Sequence, residues 1–384
     1  MNPANAFSAD YAQARTKFLD AAADAGAAVE RILHPERGPA DEVLSTDVAW
    51  LGPRSAERVL VLISGTHGVE GFCGSGAQID WLRRGEGANL AENTAVLLIH
   101  AINPHGFAWV RRVTEDNVDL NRNWFDFDTR AMPPNPEYLA IRDGICLREY
   151  TPQAVAAADA ALADYAARHG RAAMVAAITT GQHIDPQGLF FAGTQATWSR
   201  RTQTAIFREY LGQAAKVAII DYHTGLGPWG YAERIVTLPP AHAAFARARA
   251  WYGAAVTSSC DGSSSVAAID GDGVGAAHAL LSGAEITGIA FECGVKTPEE
   301  TLDALRADLW LYQHGDPRSP QGDEIRMQLR DVFYADCDYW KGMVAAQSLL
   351  LCRQALAGLH SSDSIKADPA GSASNKSQWG RAAA

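Results

Sequence analysis

The chain has 384 residues, 47% of them hydrophobic and 20% charged, and its 33 Lys+Arg against 44 Asp+Glu leave a formal charge of −11. Such a composition fits a folded globular chain and excludes a wholly disordered one. The acidic balance argues against a nucleic-acid partner or an anionic membrane surface, because both select basic patches. No apolar run reaches the roughly 18 residues of a membrane span. The N-terminal stretch MNPANAFSADYAQARTKFLD lacks the basic start and apolar block of a signal peptide. The six cysteines are scattered, with no C-x-x-C pair, and read as reduced thiols that are mostly buried. A cytoplasmic protein is the expectation.

In chain order, Ser8 to Leu33 is Ala-rich, with Tyr11, Ala14, Phe18 and Ala22 at helical spacing, and reads as an opening helix broken by His34-Pro35 and Gly38-Pro39. Asp47–Leu51 is a short strand ended by Gly52-Pro53. Four apolar, β-branched runs follow: Arg58–Ser64, Ala95–Ile102, Lys216–Tyr222 and Ile286–Phe291. Their near-continuous hydrophobicity is that of strands covered on both faces. Helical stretches at Ala154–His169, Trp198–Gln213 and Ala241–Tyr252 separate them. Strands alternating with helices indicate an α/β fold with a mainly parallel sheet. The polar, Ser/Ala-rich stretch 361–384 reads as a disordered tail. That leaves one catalytic domain over 1–360.

The polar residues suited to chemistry sit where the apolar runs end, which is where open α/β sheets bind ligands. The first run ends Ser64-Gly65-Thr66-His67-Gly68-Val69-Glu70-Gly71, the third Asp221-Tyr222-His223-Thr224-Gly225, and the fourth Phe291-Glu292-Cys293-Gly294. Two histidines and a carboxylate make a three-ligand set that leaves a tetrahedral zinc one open position for water. His67 and Glu70, three residues apart across a turn, can aim at one point, and His223 can join them from a neighbouring strand. H-x-x-E alone is weak evidence; a second strand-end histidine and a strand-end glutamate strengthen it.

After the second run come Asn103-Pro104-His105-Gly106-Phe107 and then Asn117-Val118-Asp119-Leu120-Asn121-Arg122-Asn123, with arginines at 111, 112 and 122. Arginine suits bidentate carboxylate binding. The bland alternative for Arg111 and Arg112 is a salt-bridged loop with Glu115, Asp116 and Asp119. Gly181–Leu189 reads as a loop in which His183 touches substrate, a second metal or nothing. Gly271-Asp-Gly273-Val-Gly275-Ala276 matches a dinucleotide fingerprint only loosely and in the wrong place. No nucleophile elbow or Walker loop is present.

As an ordered set, His67-x-x-Glu70, Asn103-Pro-x-Gly106-Phe107, Asp119-Leu-Asn121-Arg122-Asn123, His223 and Glu292 resemble the M14-type zinc carboxypeptidases. The phrases SGTHGVEGF, NPHGF, VDLNRN, DYHTGLG and FECG resemble in particular the bacterial DUF2817 branch. The resemblance implies a mixed, mostly parallel eight-stranded sheet flanked by helices on both faces. It implies one zinc per chain on His67, Glu70 and His223, with a second metal left open, and Glu292 as general base and acid. Asn121 and Arg122 would hold a substrate carboxylate, and Arg111 or Arg112 would stabilise the oxyanion. The substrate would be a peptide or small molecule with a free carboxylate; the oligomeric state stays open. One departure matters: carboxypeptidases place a capping tyrosine before the catalytic glutamate, and Ser263–Ala290 has none. The expected activity is therefore metal-dependent amide hydrolysis. An N-acyl amino-acid deacylase resembling aspartoacylase and succinylglutamate desuccinylase, and a metal-binding module without turnover, stand as alternatives.

Overall fold

A computed structural model describes residues 2–361. The tail expected over 361–384 lies outside the described residues apart from Ser361. Eight strands form one sheet: β1 (Ala28–Arg37), β2 (Val43–Leu51), β3 (Arg58–Ile63), β4 (Thr94–His100), β5 (Lys216–Trp229), β6 (Ala232–Val236), β7 (Val256–Ser258) and β8 (Glu285–Gly294). Their spatial order is β1-β2-β4-β3-β5-β8-β6-β7. The four central strands β4-β3-β5-β8 run parallel, and antiparallel pairing enters at β1-β2, β2-β4 and β6-β8. The expected mixed, mostly parallel α/β sheet is the observed one.

The central strands read as continuous apolar runs because alternate residues feed two separate cores. Leu60, Leu62, Leu98 and Ile220 face one, with Phe18, Phe72 and Trp340. Val59, Val61, Ile63, Leu97, Ile99 and Ile219 face the other, with Phe207 and Val274. The helix Asp338–Leu359 is, among the described residues, the one helix long and apolar enough by composition to cross a membrane. Its apolar side is taken up by the first core, where Trp340, Val344, Leu351, Cys352 and Leu359 are buried.

The opening helix is shorter than expected. It spans Tyr11–Asp24, with Asp10 capping the Gln13 backbone N–H, and ends at Gly26 in the left-handed region (φ 71°). Ala28–Leu33 is the start of edge strand β1, paired antiparallel to β2. Four of the six cysteines are buried; Cys260 and Cys337 are exposed.

The chain reverses direction across the sheet at β3, with β4 on one side and β5 on the other. The crevice at the carboxyl ends of such strands is a natural ligand site. His67 follows β3 and Glu292 lies near the end of β8, while His223 sits midway along β5, which continues past its apolar run to Trp229.

Candidate metal centre

The loop after β3 is held by the loop after β4, backbone against backbone. A Cβ on Gly68 would stand 2.1 Å from the Gly106 carbonyl carbon, so only glycine permits the approach. Gly68 N donates to Arg112 O (3.1 Å) and Val69 N to Arg111 O (2.8 Å). Asn103 braces the second loop, accepting from Gly106 N (2.9 Å) and donating to Val113 O (3.1 Å). The N-P-x-G phrase is thus scaffolding that fixes where His67 and Glu70 point.

His67, Glu70 and His223 converge, each buried, with one ligand atom apiece all within 4.8 Å of one another. His67 Nδ1 lies 2.9 Å from Glu70 Oε1, His223 Nδ1 lies 3.0 Å from Glu70 Oε2, and the two Nδ1 atoms are 3.3 Å apart. Thr224 N donates to Glu70 Oε2 (3.1 Å). The outer ring nitrogens meet carboxylates: His67 Nε2 stands 3.2 Å from Asp119 Oδ1, and His223 Nε2 stands 3.1 Å from Asp221 Oδ2. Arg112 Nη2 is 2.9 Å from His67 Nε2 and would need that nitrogen bare. The charged carboxylate is the stronger partner and favours a protonated one.

This pattern tests the fit of a cation. A proton on each Nε2, as the carboxylates favour, leaves both Nδ1 lone pairs facing one another beside Glu70. Such a buried convergence of acceptors is repulsive unless a positive charge sits among them. Two ligands roughly 2.05 Å from a tetrahedral zinc are about 3.3 Å apart, which matches the observed Nδ1 separation. Imidazoles that donate from the far nitrogen to a carboxylate are the usual supported ligands of such ions. The residues present therefore fit a bound zinc.

Without a metal, protons supply the positive charge instead: burial lowers His223, but Asp221 and Glu70 outweigh it and hold the imidazole well above its ordinary value. Burial pushes Glu70 up, but the charges of His67 and His223 and their hydrogen bonds outweigh it and hold the carboxyl below its ordinary range. Asp119 is likewise held well below its ordinary value, since Arg112, Arg122 and His67 overcome the effect of burial. Glu292 moves the other way. Burial, and next the charge of Glu70, raise its carboxyl to about 7 against the opposing pull of His223, the Leu226 N–H and Arg112. Its Oε1 accepts from Leu226 N at 3.0 Å.

The two neighbouring arginines separate cleanly. Arg112 joins the cluster, donating to Glu70 Oε1 (2.9 Å) and Asp119 Oδ2 (3.2 Å). Arg111 is buried elsewhere, bound to Asp308 (3.1 Å from Nη2) and Asn117 (3.2 Å), with its guanidinium 3.7 Å from the Tyr312 ring centroid. Arg122 is buried next to Asp119 and already donates three N–H bonds, two to Thr179 O and one to Asn121 O. Asn121 links the cluster to the first residue of helix Gly273–Leu280, accepting from Gly273 N (3.2 Å) while its Nδ2 stands 3.4 Å from His223 Nε2.

The segment after Gly181 folds over this arginine side. Gln182 pairs with Phe191, and the Phe190 ring lies 5.6 Å from the Arg112 guanidinium and 5.7 Å from that of Arg122. His183 packs instead on Phe125 and Phe127, with Nδ1 on Gly193 O (2.7 Å). The sequence reading did not assign Asp119 or Asp221 to the histidines. Their places beside the motifs, at the head of D-L-N-R-N and two residues before His223, were the available signals.

Comparison with known proteins adds the following. No curated protein matches this chain. Among the solved structures similar to this chain, all of the following match most of its length at low identity. Carboxypeptidase A from Helicoverpa armigera is 13% identical with a TM-score of 0.43, the match covering 85% of this chain and 74% of that one. Succinylglutamate desuccinylase from Chromobacterium violaceum is 14% identical with a TM-score of 0.36, covering 83% and 73%. Murein-tripeptide amidase from Escherichia coli O157 is 16% identical with a TM-score of 0.32, covering 75% and 95%. The family described as "Protein of unknown function (DUF2817)" matches residues 7–347. Because that match takes in most of the chain, including His67, Glu70, His223 and Glu292, this protein belongs to the DUF2817 family.

Proposed function

We propose that this protein is a zinc-dependent hydrolase of an amide or peptide bond in a substrate that carries a free carboxylate, working as one catalytic unit over 1–360. The observation that supports it most is the meeting of a buried His-Glu-His donor set with a second glutamate, Glu292, which strand register sets beside His223. His67, Glu70 and His223 would hold the zinc, which when bound would supply a water of pKa lowered to about 7 and a Lewis acid for the scissile carbonyl.

Glu292 accepts the attacking water's proton and later passes it to the leaving amine, the two transfers a positioned carboxyl can make. Arg112, held by Glu70 and Asp119, presents preorganised positive charge to the developing oxyanion. Arg122 retains two of its five N–H groups, enough for a forked bond to the substrate carboxylate, and Asn121 stands beside it.

A deacylase of N-acyl amino acids is the second reading, favoured by one feature. The 263–290 stretch has no tyrosine to cap a peptide, and its start is pinned by Ser265 N and Oγ to the buried Glu233 carboxylate. Amine release from free-acid peptides and from N-acyl amino acids, each with and without a zinc chelator, tests both readings. Chelator-sensitive cleavage of one panel selects between them, and no cleavage of either removes the hydrolase assignment.

A further inference from the structure

The segment that folds over the arginines is strained at Phe190. Its φ is 53°, in the left-handed region that glycine adopts freely and a bulky side chain does not. Asp41, Asn93 and Asn117 share that region, but their short polar side chains tolerate it. Phe190 is the one aromatic residue held there among the described residues. Backbone bonds on both sides fix it: Gln182 N donates to Phe190 O (3.1 Å) and Asp119 N to Phe191 O (2.8 Å). Asn117 Nδ2 donates to Pro186 O and Gly188 O (3.1 Å each), and Arg142 Nε to Asp185 Oδ2 (2.6 Å), so the whole segment is tied down. Strain of this kind persists only where the surroundings over-determine it, and it gathers at ligand sites.

The Phe190 ring is half-buried against the first core, and its centroid is almost equidistant from two guanidiniums, 5.6 Å from Arg112 and 5.7 Å from Arg122. Two like charges repel, so their separation has to be set by what lies between them. Asp119 is one such group, 3.2 Å from Arg112 Nε and 3.9 Å from Arg122 Nη1. An aromatic ring, which attracts cations, is the other. We propose that Phe190 is a positioning residue that sets the spacing of Arg112 and Arg122. It thereby fixes how many bonds a substrate can place between its reacting carbonyl and its free carboxylate. The inference rests on the proposed function for the roles of the two arginines, Arg112 at the oxyanion and Arg122 at the carboxylate. A substrate one carbon too short or too long reaches only one of them in good geometry.

The test is calorimetric binding of malonate, succinate, glutarate and adipate to the full chain, because a dicarboxylate can bridge the two arginines without reacting. The wild type should bind one of the four roughly tenfold or more tighter than the others. Phe190→Tyr should keep that order. Phe190→Gly, which also relieves the strain, and Phe190→Leu, which keeps apolar bulk without the ring, should narrow the span to about threefold or less, with an unchanged circular dichroism spectrum. Arg122→Lys should weaken the preferred ligand about tenfold. Four results would overturn the proposal: equal or no binding of the four by the wild type, the same span in Phe190→Gly or Phe190→Leu, loss of all four alike in those variants, or affinity indifferent to Arg122→Lys. Binding needs no turnover, so a chain that cleaves no amide yet discriminates the dicarboxylates would lose the hydrolase assignment and keep this one.

Discussion

His223 and Glu292 are direct register partners on the adjacent parallel strands β5 and β8. Side chains at paired positions emerge on the same face of a sheet, so the strand pairing itself sets a metal-ligand candidate and a proton-transfer candidate side by side. No loop needs to move to bring them together. The prediction that follows is for Glu292→Gln. Zinc content should be unchanged while kcat falls on the order of 10²–10⁴-fold. Wild-type turnover in this variant would remove Glu292 from the mechanism.

Arg111 and Arg112 are adjacent in sequence and differ in surroundings, so their variants should differ in kind. Arg112→Lys keeps a charge but loses the fork that reaches Glu70 and Asp119, and kcat should fall about 10²-fold or more with folding little changed. Arg111→Ala leaves Asp308 buried without its cation and should cost about 3–5 kcal/mol of stability. Thermal or denaturant unfolding beside steady-state kinetics separates the two effects. If both variants lose turnover alone, Arg111 also serves the reaction.

Asp221 touches the site only through the outer nitrogen of His223 and a bond from Thr66 Oγ1 (2.7 Å). Asp221→Asn should therefore weaken zinc about 10–100-fold, by competition with a chromogenic chelator, with little change in fold. Equal affinity in the variant would mean that the ring is fixed by other contacts.

The histidines of the fold carry a pH dependence of their own. His100 is fully buried, stacked on Phe18 with 4.4 Å between ring centroids and 2.9 Å from Ser75 Oγ; burial, and then the charge of Arg15, lower it to about 3. Its folded value lies below the unfolded one of about 6.5. The unfolded chain thus takes up the proton first. Stability from the neutral ring is fully present above pH 6.5 and is lost as pH falls from there toward 3. Between pH 7.5 and 5 the loss should be about 2 kcal/mol. The denaturation free energy of His100→Gln, lower at the outset, should fall by that much less over the same interval. Parallel pH curves for the two proteins would contradict the assignment.

The site was legible in the sequence to the extent that its chemistry sits where apolar runs stop, although β5 itself continues past His223. His67, Glu70, His223 and Glu292 each terminate or closely follow an apolar run, and runs covered on both faces can be recognised without a partner. What escaped depended on distant residues. Ala28–Leu33 continues an Ala-rich helical pattern, and only pairing with β2 makes it a strand. The choice between Arg111 and Arg112 is made by Asp308, 197 residues away along the chain. The support of the two imidazoles by Asp119 and Asp221 likewise appears only once the strands are adjacent.

The central claim is that His67, Glu70 and His223 hold a zinc ion. Metal analysis of the purified wild-type chain and of a His67→Ala/His223→Ala double variant, both dialysed against limiting zinc, tests it directly. The account predicts about one zinc per wild-type chain, as a three-ligand site with an open fourth position requires, and almost none in the double variant. Equal zinc in both proteins would place the metal elsewhere and contradict it.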